Sequence, residues 1–294
     1  MSLVSLVKFE EKNMTLQEAI EKSLNLIHFQ FNRKVQKIAI KPNMCYYWDY
    51  STGETTNPKF VSALIDAIRN LAPPKVEISV VESDASAMKC RYAFKMLGYE
   101  KMAKEKRVKL VNLTNDKAEK IKVSIKNETH QFFLPKTIAE ANLLIDVPKI
   151  KYMSGPKITC ALKNIYGCNP DPKKYNYHKW LDEAIVSLNK IMRPGLCIID
   201  GIIAKGIRTL KLGLIMASKD PVAIDAAASE IAGINPNSIK YLELAYKEKI
   251  GDIKFILKGE PLDYFKKLFP TKNTKYRTRK FLSTIYTHFF TRDF

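Results

Sequence analysis

Lysines, asparagines and carboxylates in this sequence cluster directly after apolar runs, where strands would end and loops begin. Lys41-Pro42-Asn43 follows one such run, and Gly53-Glu54-Thr55-Thr56-Asn57-Pro58 leads into a helix start. Glu82-Ser83-Asp84-Ala85-Ser86, Pro148-Lys149-Ile150-Lys151, Lys163-Asn164, Asp200-Gly201 and Lys219-Asp220 occupy comparable positions. In open α/β sheets the ligand sits beyond the carboxyl ends of the strands. Read that way, these stretches converge on one site.

Its chemistry would be anion recognition. Lys41, Lys149, Lys151 and Lys163 each fall at an element end, and the Thr55 and Thr56 hydroxyls stand near a helix start. With Asn43 and Asn164 they form a set that would hold a phosphate or carboxylate. Each has a plainer reading: surface charge for a lysine, turn residue for a threonine, helix-dipole partner for Lys163. Acids are fewer. Glu82, Asp84, Asp200, Asp220 and Asp225 are the candidates for proton transfer or a metal. Asp220 precedes Pro221 as a helix N-cap would. Asp225 lies in an apolar helical run and needs a partner if buried; one of the lysines is the expected one. Both are therefore assigned structural or supporting roles. Asp84 and Asp200 follow strands, and His178 precedes a helix, so these three are the candidates for proton work. Of four histidines none has metal-ligand spacing, and no metal site is expected. The cofactor is left open.

The elements that would position these residues alternate. Strands are expected at 2–9, 35–41, 75–82, 108–113, 141–147, 196–199 and 213–217. Helices are expected after Thr15, whose Thr-x-x-Glu pattern is a capping box, and from Asn57-Pro58. Further helices are expected at 87–97, 158–166, 179–192, from Asp220-Pro221 to 232, and at 237–249. A hairpin is expected over 121–134, turning at Lys126-Asn127. Such alternation predicts an α/β fold with a mainly parallel sheet flanked by helices, possible as two lobes with the site between them. The α/β unit would span residues 1–262, with a lobe boundary near 147–155.

The chain has 294 residues and a formal net charge of +19. Thirteen basic residues face four acidic ones between 147 and 219, so nearly half the excess lies in a quarter of the chain. Nine basic residues face three acidic ones from 255 to 294, where aromatics are also frequent. Residues 263–294 are read as a basic aromatic appendage that would dock on the protein or bind nucleic acid or an acidic surface. No apolar run reaches the length of a membrane-spanning helix, and the start does not read as a signal peptide. The expected compartment is the cytoplasm. Five well-separated cysteines, with no Cys-x-x-Cys, argue against a disulfide framework or a ferredoxin-type cluster. The nucleophile-elbow, P-loop and dinucleotide glycine motifs are also missing from the sequence.

Read in order, these segments resemble the family called domain of unknown function 362. Ile40 to Asn43, Gly53 to Pro58, Ala141 to Lys151, Cys160 to Gly167, Ile199 to Gly201 and Ser218 to Ala226 carry the resemblance. It covers about residues 35–250. Some members of that family add a four-cysteine iron–sulfur module, which implies redox or cofactor-linked chemistry for them; this chain lacks those cysteines. Where the family often has a histidine after the segment matching Pro148 to Lys151, Tyr152-Met153 stand here. Where it often has an acid and Gly-Pro after the segment matching Asp200-Gly201, Ala204-Lys205-Gly206-Ile207-Arg208 stand here. Losing an acid and gaining bases implies a more anionic ligand or lost activity. A more distant similarity is to the lactate racemase family, also two-domain α/β.

The first functional reading is a cytoplasmic protein that binds an anionic small molecule, with its transformation left open. The second is nucleic-acid or membrane-surface binding through residues 264–294. The third is a partner subunit of an iron–sulfur protein. Reaction class and oligomeric state stay open.

Overall fold

A computed structural model describes residues 1–153 and 155–269. The basic positions from Lys272 onward lie outside the described residues, so most of the expected appendage does too. In chain order the elements begin with β1 (Ser2–Lys8), α1 (Leu16–Leu26), β2 (Lys37–Pro42), α2 (Pro58–Leu71) and β3 (Glu77–Glu82). Then come α3 (Cys90–Met96), α4 (Tyr99–Lys106), β4 (Lys109–Asn112), β5 (Ala118–Ile125), β6 (Glu128–Pro135) and α5 (Lys136–Ala139). The middle holds β7 (Leu143–Val147), β8 (Lys149–Met153), β9 (Lys157–Thr159), α6 (Ala161–Ile165) and α7 (Leu181–Ile191). The described chain closes with β10 (Leu196–Lys205), β11 (Thr209–Ser218), α8 (Pro221–Ile231), α9 (Lys240–Lys247), β12 (Phe255–Gly259) and α10 (Leu262–Leu268).

One mixed, mostly parallel sheet runs through both halves of the chain in the order β12-β1-β11-β10-β7-β2-β3-β4. β8 joins it beside β10 and carries β9. β11 runs antiparallel to both β1 and β10, and β9 runs antiparallel to β8. Residues alternate across a strand, so each strand feeds two cores. Ala39, Val81, Leu144, Ile199 and Met216 enter one, packed with α6 to α9. Ile38, Ile40, Val80, Ile145, Ile198 and Ile215 enter the other, packed with α1 to α4. The α1 capping box is present, with Thr15 and Glu18 reciprocally bonded. Asn57 caps α2 and Asp220 caps α8, each followed by proline at the first helical position. The β5–β6 hairpin turns at Lys126-Asn127, both left-handed. Residue 263, where the sequence reading starts the appendage, lies in α10, whose Phe265 is fully buried in the main core.

Several expected elements are redrawn. Pro148 to Lys151 is not a loop: β8 starts at Lys149. Two lysines that are buried and paired in the fold look like surface charges in the sequence. Asp200-Gly201 does not end a strand either; both lie inside β10. Glycine serves close strand approach there, since a Cβ on Gly201 would sit 2.8 Å from the Leu214 carbonyl oxygen. The helix expected from 158 begins at Ala161, after strand β9. Helix 87–97 is the shorter α3, and a separate helix, α4, follows Gly98. Among the described residues no helix is long and apolar enough to cross a membrane.

Candidate functional site

Beyond the carboxyl ends of β2 and β3, and beside β8 and α6, lies a cleft of about 580 Å³. Lys41, Lys151, Lys163 and Lys174 line it against only two carboxylates, Glu54 and Glu82. His178, Asn43, Asn164 and Cys45 also line it.

The four lysines are held differently. Lys41 ends β2, is 1% exposed, and donates to Glu82 at 2.9 Å and to the Pro42 carbonyl at 2.7 Å. Gly167 makes room for it: a Cβ there would lie 2.9 Å from the Lys41 Nζ. Lys151 donates to the Glu54 carbonyl at 3.2 Å and pairs with its carboxylate at 3.4 Å. Lys174 donates to the Ser83 hydroxyl and, at 2.8 Å, to the Asp84 carbonyl. Burial lowers its pKa to about 8, against the pull of Glu82. Lys163 is the exception. Among the described residues it meets no carboxylate and no hydrogen-bond acceptor; its Nζ lies 6.0 Å from the Tyr166 ring. Burial, then the nearby Lys151 charge, lowers its pKa to about 8. A partly buried cation without a counter-charge is costly, and an anion would relieve it.

Two polar contacts brace the floor. Asn164 donates from Nδ2 to the Asp146 carboxylate at 2.6 Å and to the Lys41 carbonyl at 3.1 Å, tying α6 to β2 and β7. Burial pushes the Asp146 carboxyl well above its usual range, although Asn164 and Lys41 favour its charge. The Asn43 Oδ1 is buried with no partner.

Several sequence-expected site residues stand elsewhere. Lys149 and Asp200 pair at 3.1 Å, and each side chain is 1% exposed. Asp200 also accepts from the Asn57 N–H at 2.9 Å, securing the start of α2, and from the Ile202 N–H at 3.3 Å, and it does not line the cleft. The Thr56 hydroxyl accepts from the Asn43 N–H and donates to the Val147 carbonyl, cross-linking two strand ends. Thr55 is fully buried and its hydroxyl has no partner. Asp84 turns to the Cys90 N–H, Lys89 and Asn112. Burial alone would raise its pKa, but those three contacts outweigh it and hold the carboxyl low. A carboxylate held this way is a poor proton acceptor. Asp220 accepts from the Val222 and Ala223 N–H groups. The partner of Asp225 is not a lysine: it accepts from the Ala161 and Leu162 N–H groups, capping α6 from a distant helix. Burial raises its pKa to about 7 even so.

Lys174 and Cys45 are cleft residues the sequence reading passed over. Lys174 stands four residues before His178, but adjacent Lys173 is indistinguishable from it by pattern.

Sheet order, flanking helices and the position of the cleft define an α/β protein with a cleft at the carboxyl ends of parallel strands. Over residues 38–230 the chain matches the family described as "Domain of unknown function (DUF362)", and it belongs to that family. A curated relative is the thylakoid-associated protein sll1697 of Synechocystis sp. (strain ATCC 27184 / PCC 6803 / Kazusa), 30% identical over 131 residues. That match covers 40% of this chain and 40% of the relative. Among solved structures, the fold is similar to that of the lactate racemase apoprotein from Thermoanaerobacterium thermosaccharolyticum. The TM-score is 0.51 at 10% identity, covering 80% of this chain and 58% of that one. At this identity the likeness is one of fold.

Proposed function

We propose that the protein binds a small molecule bearing a phosphate or carboxylate in this cleft, with Lys163 as its anchor. The observation that carries the reading is that Lys163 is enclosed and has neither carboxylate nor acceptor within reach among the described residues. Other lysines of the cleft are neutralised or braced internally; this one is left for a ligand. Lys151 supplies a second cation once a ligand competes with Glu54. Lys41 and Asn164 fix the floor, Asn43 offers an acceptor, and His178 is the cleft group for proton transfer if the bound molecule is transformed. The proposed setting is the cytoplasm, which the five free thiols support; thylakoid association is stated of the relative alone.

The test is calorimetric titration with inorganic phosphate, ribose 5-phosphate and pyruvate, with choline as a cationic control. At least one anion is expected to bind saturably, Lys163→Met to weaken it at least tenfold, and Lys163→Arg to retain part of it. Equal anion affinity in Lys163→Met and the parent would refute the assignment. Nucleic-acid or membrane binding through residues 264–294, the second reading, rests mostly on residues beyond 269 and gains no observation among the described residues. The third, partnership with an iron–sulfur protein, likewise gains none.

A further inference from the structure

The mouth of the same cleft is aromatic. Tyr46, Trp48 and Tyr175 all line it, and they are 46%, 49% and 71% exposed. Single exposed apolar side chains are ordinary. Three large rings around one opening, above a floor of lysines, call for an explanation.

Their arrangement is built rather than loose. The Tyr46 and Trp48 rings lie 5.2 Å apart, tilted by 52°. Tyr46 has φ of 53°, a left-handed backbone unusual for a bulky residue. Such strain persists only where the surroundings enforce it, and it gathers at ligand sites. The surroundings are visible. The neighbouring Tyr47 hydroxyl accepts from the Lys89 N–H at 2.9 Å, pinning the loop to the start of α3. The turn that follows is closed by Asp49, which accepts from the Ser51 N–H. Farther along the chain, the Tyr175 ring stands 5.1 Å from the His178 ring.

We propose that the ligand joins its anionic group to a planar ring system, with the anion on Lys163 and the ring against Trp48 and Tyr175. The proposal rests on the anion-binding reading and narrows its substrate class. Ring faces stack on any flat π-system, whatever its edge pattern. The volume of about 580 Å³ lies in the ordinary range for small-molecule pockets and admits either a nucleoside monophosphate or a smaller aromatic carboxylate.

Paired titrations of the full-length protein separate these sources. Adenosine 5′-monophosphate is compared with ribose 5-phosphate, and 2-naphthoate with acetate. In at least one pair the ring-bearing anion should bind at least tenfold more tightly than its ringless counterpart. Which pair shows this distinguishes a nucleotide from an aromatic acid. Trp48→Ala and Tyr175→Ala alter exposed side chains, so the fold should tolerate them; far-ultraviolet circular dichroism checks this. Together they should reduce the preference below threefold and leave the ringless anion's affinity unchanged. Equal affinity within both pairs, or a preference that survives the double variant, overturns the ring proposal while anion binding stands. If Lys163→Met leaves every affinity unchanged, the anion reading fails, whatever the rim does. No binding of any of the four overturns both.

Discussion

Lys149 and Lys163 sit fourteen positions apart at the ends of neighbouring elements, and the fold treats them in opposite ways. Lys149 is sealed against Asp200 at 3.1 Å, with both side chains 1% exposed. Burial lowers its pKa, and the Asp200 charge opposes that shift. Lys163 opens onto the cleft and meets no carboxylate among the described residues. The first lysine is part of how β8, β10 and the start of α2 hold together. The second destabilises the empty protein and is what a ligand would stabilise. Charge at a strand end is therefore not enough to mark a binding residue; the absence of an internal partner is the discriminating feature.

Breaking the sealed pair should have the largest effect. Asp200→Ala leaves Lys149 buried without a counter-charge and removes the acceptor of the Asn57 N–H. The expected loss is about 3–5 kcal/mol in urea denaturation. Replacing both partners, as Lys149→Met with Asp200→Leu, should recover most of it. A loss under about 1 kcal/mol in the single variant would show that the pair is not a structural unit.

Lys163→Met should move stability the other way. The folded pKa of about 8 lies below the ordinary lysine value of 10.5. Between these values the unfolded chain holds the extra proton, so this residue's contribution to stability rises with pH there. Below about 8 the cost of the enclosed charge is fully present. Methionine removes that cost, and a gain of about 1–2 kcal/mol at pH 7 is expected after allowing for the open cleft. Destabilisation would mean that Lys163 has an internal role like that of Lys149.

A smaller effect should follow from Glu54→Gln. Lys151 then keeps the Glu54 backbone carbonyl as acceptor but loses the facing carboxylate. Anion affinity should rise a few-fold, and stability should change by less than about 1 kcal/mol. Weaker anion binding would remove Lys151 from the site.

The strand–helix alternation, the capped helix starts and the hairpin turn are legible from the sequence, because each rests on local signals. Thr15 with Glu18, Asn57 with Pro58 and the two left-handed turn residues need only their neighbours. What escapes is set by distant partners. The start of α6 is capped by Asp225, more than sixty residues away, so no local pattern marks it. β8 is hidden because Lys149 and Lys151 read as surface charges until Asp200 and Glu54 are brought against them. The same gap separates candidate residues. Lys41, Asn43, Lys151, Lys163, Asn164 and His178 line one cleft, while Lys149, Thr56, Asp84 and Asp200 meet internal partners. Residue type and position are alike in the two groups; what divides them is which side chains the fold turns to the cleft, and no local pattern marks that.

The central claim, that Lys163 is a free cation held for an anion, is tested most directly by following anion affinity against pH. Ribose 5-phosphate, or whichever probe anion binds, is titrated calorimetrically from pH 6.5 to 9.5 into the parent protein and Lys163→Met. Above about pH 8 the lysine loses its charge, so the parent's affinity should fall steeply, approaching tenfold per pH unit, and Lys163→Met should give a weak, nearly flat profile. Parallel profiles of similar affinity in the two proteins would contradict the account.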